Sequence, residues 1–231
     1  MPDFSYSDAV LSIGALGAAA YGLVDASKVL RGGLSQPGFG FILTEIEKFR
    51  PALNVVGADA AITTLRSIWL NGVSLDDQKA KAKAMIHMGI NASDADALAD
   101  VIGLGGSAKN AFKAAAQKLD LGAASSGQPA LTQTDLDVIG RFDAILSARL
   151  DAAYERADQV YRNSAKAAAC VIAVILALIG DYSLSGDAGA PAVPWGLAVL
   201  AGLIATPLAP VAKDVASSIQ TASKAFSIFK R

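Results

Sequence analysis

The stretch Ala167–Gly180, AAACVIAVILALIG, lies between Lys166 and Asp181 and carries no charge on any face. A surface helix of a soluble protein has an apolar stripe and a polar face, whereas a run that is apolar all round belongs in a buried core or a bilayer. Two further runs share this property. Ala9–Val24, AVLSIGALGAAAYGLV, sits between Asp8 and Asp25, and Ala188–Ala212 sits between Asp187 and Lys213. A spanning helix needs about 20 mostly apolar residues. The third run is long enough alone. The first two reach that length with their flanks, from which Lys28 and Lys166 can snorkel to headgroups. The link Asp181–Ala192, DYSLSGDAGAPA, is polar and glycine-rich, so the second and third runs are expected to form a hairpin. The expected fold class is all-α: an integral membrane protein with three transmembrane helices and a helical cytoplasmic domain between the first and second.

Composition agrees. The chain has 231 residues, 53% hydrophobic and only 18% charged, where soluble domains carry about 25% charged residues. Twenty basic residues are balanced by 21 acidic ones, so a nucleic-acid partner is not expected. Cys170 is the sole cysteine and His87 the sole histidine, which argues against a disulfide scaffold, a metal site or a Cys–His nucleophile. No cofactor is implied.

The charges also predict an orientation. No Lys or Arg occurs from Met1 to Ser27 or from Ala167 to Ala212; every one lies in Lys28–Lys166 or Lys213–Arg231. Under the positive-inside rule this places the N-terminus outside, residues 31–166 in the cytoplasm, the hairpin loop outside and the C-terminus in the cytoplasm, in a plasma (inner) membrane. The first run lacks the positive n-region of a cleavable signal. Four parts are expected: an N-terminal spanning helix in 1–30, a cytoplasmic helical domain over 31–166, a transmembrane hairpin over 167–212, and an amphipathic cytoplasmic tail over 213–231. Tyr6, Tyr182 and Trp195 fall at the expected outer boundary, where amphipathic rings favour headgroups.

The middle region holds basic and acidic side chains in equal number. Helices are expected near Gly40–Phe49, Pro51–Leu70, Leu75–Met88, Asp94–Ile102 and Ala108–Leu119. Ser74 and Ser93 are expected caps, Pro51 an opener, Trp69 a core anchor, and GAASSGQP, Gly122–Pro129, a linker. The run QPGFGFI, Gln36–Ile42, reads as a loop. From about Asp135 the apolar or small residues Ile139, Phe142, Leu146, Leu150, Ala153, Ala157 and Val160 recur every three or four positions. One helix is expected to continue through them into the bilayer as far as Gly180.

Little in this region suggests chemistry. GLGGS, Gly103–Ser107, lacks the spacing and the preceding strand of a phosphate loop, and reads as a helix stop followed by a start. Asp94, Asp96 and Asp100 lack the glycine and glutamate of a calcium loop. His87 reads as an ordinary helix-end residue.

The informative residues lie in the spans. Gly14 and Gly17 in the first, and Gly196 and Gly202 in the third, give small faces suited to close helix packing. Two such faces in so small a bundle leave contact surface over, from which a homo-oligomer is expected. Pro207 and Pro210 are candidate hinges, after which Val215–Phe229 reads as a short amphipathic helix on the inner surface. Few polar groups lie at membrane depth, so an enzyme is not expected. The leading expectation is an oligomeric pore or ion channel with a cytoplasmic vestibule or gate. Asp25 would supply its ring charge, and Ser12 and Thr206 its polar lining. The alternative is a membrane-anchored scaffold or adaptor whose helical domain binds a cytoplasmic protein partner.

Overall fold

A computed structural model describes residues 6–27, 36–122, 131–185 and 194–229; side chains at several helix ends and beyond Ala212 lie outside that description. The expectations for Tyr6, Lys28, most of the Gly122–Pro129 linker and the tip of the hairpin loop fall outside the described residues, as does the amphipathic face of Val215–Phe229. The described residues form nine α-helices and one 3-10 turn, with no strand among them. They are α1 (Tyr6–Ala26), α2 (Gln36–Ile46) with the turn Glu47–Phe49, α3 (Arg50–Asn54), α4 (Ala58–Leu70), α5 (Leu75–Met88), α6 (Ala95–Val101), α7 (Gly106–Gly122), α8 (Gln133–Ser185) and α9 (Trp195–Phe229). Helices α1, α8 and α9 are long and apolar enough to cross a membrane, and the other helices fill the interval between α1 and α8. The protein is thus all-helical, with three candidate spans and a helical region between the first and the second. Residues 1–34 with 162–231 form one compact unit, and residues 35–161 another.

Residues 35–161 form a small helical bundle around large side chains. Phe49, Leu65, Ile86, Phe112, Phe142 and Tyr154 are all fully buried. The rings of Phe112 and Phe142 stack at 4.9 Å, and Trp69 meets Tyr161 edge-on at 6.5 Å. Helix α8 contributes Phe142, Leu146, Leu150 and Tyr154, one side chain every fourth residue down a single face. Tyr154 departs from the expected stripe, which ran through Ala153. Burial raises its phenol well above the usual range, and no partner reaches its hydroxyl among the described residues.

Local chemistry sets the helix ends. Ser74 caps α5 by accepting from the Asp77 backbone N–H at 3.2 Å, while its hydroxyl donates to the Asp77 carboxylate at 2.6 Å. Pro51 sits in the first turn of α3. Three expectations need correction. Pro51–Leu70 is two helices, because Gly57 adopts φ +83° between them, a conformation open to glycine. Ser93 does not cap α6. The N-cap is Asp94, which makes no side-chain cap bond; the Asn91 side-chain oxygen accepts from the Asp94 N–H at 2.9 Å in the turn before the helix, and the Ser93 hydroxyl donates to the same oxygen. The loop expected at Gln36–Ile42 is helical and opens α2. Gly38 lets this helix pack closely, since a Cβ there would lie 2.8 Å from the Ala157 carbonyl oxygen and 2.9 Å from the Trp69 ring.

The unit built from α1, the C-terminal part of α8 and α9 packs on small residues. Gly14, Gly17, Ala20 and Val24 are the buried side of α1. On α9 the buried positions Ala198, Gly202, Ala205, Ala209 and Ala212 alternate in steps of four and three, the period of a coiled-coil seam. On α8 Ala165, Ala169 and Ala173 repeat every fourth residue. The large aliphatic residues point the other way: Val171, Ile175, Ile179, Leu197, Leu200 and Leu203 are each about half exposed. Moving a buried Leu or Ile fully into water costs about 1.5–3 kcal/mol. Half-exposed, these six together rival the net stability of a whole domain, about 5–15 kcal/mol. Against lipid tails, which are as apolar as leucine, the cost vanishes. This is the outside of a membrane-associated protein.

Candidate functional site

In the apolar unit the backbones approach closely where the sequence has glycine. A Cβ on Gly17 would come within 2.0 Å of the Ala205 carbonyl oxygen, and one on Gly14 within 2.0 Å of Ala212 Cβ. A Cβ on Gly202 would fall 2.5 Å from Val174 Cα, so α9 uses the same device against α8. Gly196 has open space around it. Three of the four singled-out glycines therefore sit at contacts within this chain.

The polar residues of the spans are not gathered in one place. Ser12 and Asp25 are both exposed on α1. Their thirteen-residue separation puts them about 20 Å apart along the axis and about 140° apart around it. Thr206 is buried in α9, and its hydroxyl points to the Leu203 carbonyl at 3.5 Å. That carbonyl is the one that Pro207, lacking an N–H, leaves without its helical partner. The threonine thus repairs part of the damage done by the adjacent proline, a common arrangement in spanning helices. Pro207 and Pro210 both lie inside α9, which runs on to Phe229 as one helix. The stretch Val215–Phe229 follows as part of the same helix. Tyr182 and Trp195, near the facing ends of α8 and α9, are mostly exposed.

The bundle carries its polar groups in several local clusters. Asp143 accepts from Lys83 on one oxygen at 2.7 Å, its other oxygen lies 2.7 Å from His87 Nε2 without a hydrogen bond between them, and the imidazole lies edge-on to Phe142. Asp135 accepts from the Thr132 N–H, the Thr132 hydroxyl and Lys118, at 2.5–2.7 Å. The Lys118 ammonium and the Thr132 donors hold its carboxyl at about 2, below the ordinary 3.8. The three acids near α6 do not converge on a site. Asp94 binds Asn91, Asp96 pairs with Lys113, and Asp100 pairs with Lys109. The Lys113 bond lowers the Asp96 carboxyl below its usual range. GLGGS follows α6 and leads into α7, with Gly103 and Gly106 at φ +74° and +55°. Among the described residues no three His, Cys, Asp or Glu side chains are grouped to hold a metal ion.

One cluster has no counterpart in the sequence reading. Arg149 of α8 donates through Nε to Glu45 of α2 at 2.6 Å, across a separation of 104 residues, and also to the Val101 carbonyl. Lys48 takes the other Glu45 oxygen at 2.7 Å. One and two turns along, Ala152, Ala153 and Arg156 continue the same face of α8, and the Arg156 guanidinium lies 4.4 Å over the Phe41 ring. These residues line a groove of about 350 Å³ between α2 and α8. The seven-residue step from Arg149 to Arg156 is the only sequence signal of it. Compared with family models, curated proteins and solved structures, the chain matches none.

Proposed function

We propose that the chain is a membrane-anchored scaffold or adaptor, whose helical bundle meets a cytoplasmic protein partner and whose three apolar helices hold it at the bilayer. The observation that carries this reading is the inside-out packing of the apolar unit. Its small faces close on one another at Gly14, Gly17 and Gly202, and its exposed side is large and aliphatic. Such a unit is complete as an anchor, and lipid satisfies its outer surface. The partition of Lys and Arg supports the orientation with residues 31–166 and the C-terminal tail in the cytoplasm and the α8–α9 connection outside, in a plasma (inner) membrane.

The pore is the second reading, in which copies of the chain would form a ring. It draws on Asp25, an exposed acid at the end of α1. A pore lining needs polar groups on one stripe, and the wide angle between Ser12 and Asp25 favours the anchor. Particle mass in nanodiscs and ion flux in proteoliposomes separate the two. A monomer without flux supports the anchor. A closed ring with cation flux that falls in Asp25→Asn overturns it. In a Cys170→Ser background, a cysteine at Ser185 should label from outside intact cells and one at Ser125 should not; the reverse pattern would invert the orientation.

A further inference from the structure

We propose that the groove between α2 and α8 is a binding site for a phosphate monoester, whose phosphate sits among Lys48, Arg149 and Arg156. Three cations and the single carboxylate lining the groove leave an excess of two positive charges, matching a dianionic phosphate. Glu45 organises the site rather than filling it. It holds Lys48 at 2.7 Å and Arg149 at 2.6 Å, so both side chains are placed before any ligand arrives.

The remaining donors are free to be used. Arg149 spends Nε on Glu45 and Nη1 on the Val101 carbonyl, which leaves Nη2 without a protein partner among the described residues. Arg156 has no carboxylate partner among the described residues. It rests on the Phe41 ring at 4.4 Å, and stacking occupies a face of the guanidinium while its N–H edge stays open. Paired N–H groups in that planar fork match phosphate oxygens. The groove is also larger than a bare phosphate, with Ala152, Ala153 and the Phe41 ring supplying apolar wall for the rest of the molecule. The same chemistry is offered by a soluble phosphomonoester and by a phosphatidic acid headgroup.

The test uses the full chain in phosphatidylcholine nanodiscs, titrated with inorganic phosphate by calorimetry, and parallel nanodiscs doped with phosphatidic acid and read by native mass spectrometry. Arg156→Gln should weaken binding about tenfold, and Lys48→Gln several-fold. Lys81→Gln, the same charge change at an exposed site on α5, should leave it unchanged. Arg149→Lys keeps the charge and removes the fork, and should also weaken binding. Phosphate binding without retained phosphatidic acid identifies a soluble ligand; retained phosphatidic acid lost in Arg156→Gln identifies the headgroup. The proposal is overturned if neither probe binds, or if Lys81→Gln reduces binding as much as Arg156→Gln. Unchanged melting of each variant shows that the loss is one of binding.

Discussion

In residues 35–161 the fully buried side chains include Tyr154, Phe49, Phe112 and Phe142; in the unit of α1, α9 and the end of α8 they are, among the described residues, Ala20, Ala169, Ala173 and Ala205. The large aliphatic side chains of the second unit, such as Val171 and Leu203, are on its outside. Helices of one chain thus pack by opposite rules. In water, burying large apolar surface is the main favourable term, so big side chains go in. In lipid that drive is absent, and dispersion between closely approaching backbones takes its place, so small residues go in and large ones meet the tails. Helix α8 follows one rule at Phe142–Tyr154 and the other at Ala165–Ala173.

That contrast can be broken by experiment, and the largest effect is expected from equivalent truncations in the two units. Phe142→Ala should cost about 3–5 kcal/mol of bundle stability. Leu203→Ala, which removes a lipid-facing side chain, should stay within about 0.5 kcal/mol. Each unit has its own reporter, Trp69 buried in the bundle and Trp195 exposed on α9. Denaturation followed through each tryptophan, with the other replaced by Phe, reads the two separately. Equal losses would mean that Leu203 is not lipid-facing.

A second test reverses the direction of the change. Gly17→Leu must force α1 off α9, because even a Cβ would collide with the Ala205 carbonyl. A cost of at least about 1–3 kcal/mol is expected, as for overpacking. Gly22→Leu on the same helix has nothing within 4 Å and should be silent. Proteolysis and melting in detergent would distinguish the pair, and a silent Gly17→Leu would refute the intrachain packing of α1 on α9.

A smaller effect comes from a single pair in the bundle. Asp143→Asn removes the shared partner of Lys83 and His87, and a loss of about 1 kcal/mol or less is expected because the pair is part-exposed. The Trp69 reporter should register it while Trp195 does not. The smallest and most specific effect is on acid stability. The Asp135 carboxyl lies below its ordinary value in the folded chain, so its contribution is fully present above about pH 4 and is lost as pH falls toward 2. Asp135→Asn should flatten that part of the Trp69 acid-unfolding curve; an unchanged curve would mean that the Thr132–Lys118 cluster does not stabilise the fold.

Much of the helical layout was legible because it is local. The ends of α5 follow from Ser74 and from the residues between it and Gly89, and the long α8 follows from an uninterrupted period with no proline. The errors share a cause as well. Gly57 looks like any interior glycine until its φ is known, Ser93 donates to Asn91 in the turn before α6 instead of capping it, and the helix over Gln36–Ile42 packs where Gly38 meets Ala157 and Trp69. The prolines of α9 are candidate hinges in the sequence. In the structure the helix continues through both, with the Thr206 hydroxyl beside the carbonyl that Pro207 orphans.

By itself the sequence determined that the chain is all-helical with three long apolar helices, because periodicity and uncharged length are properties of consecutive residues. It also marked small faces on α1 and α9, without saying what they touch. Only the tertiary structure decided that Gly14 and Gly17 meet α9 and that Gly202 meets α8. It alone brought Arg149 to Glu45 and laid Arg156 over Phe41. Contacts between residues a hundred positions apart depend on how helices are oriented and how closely they approach, and no local pattern encodes either.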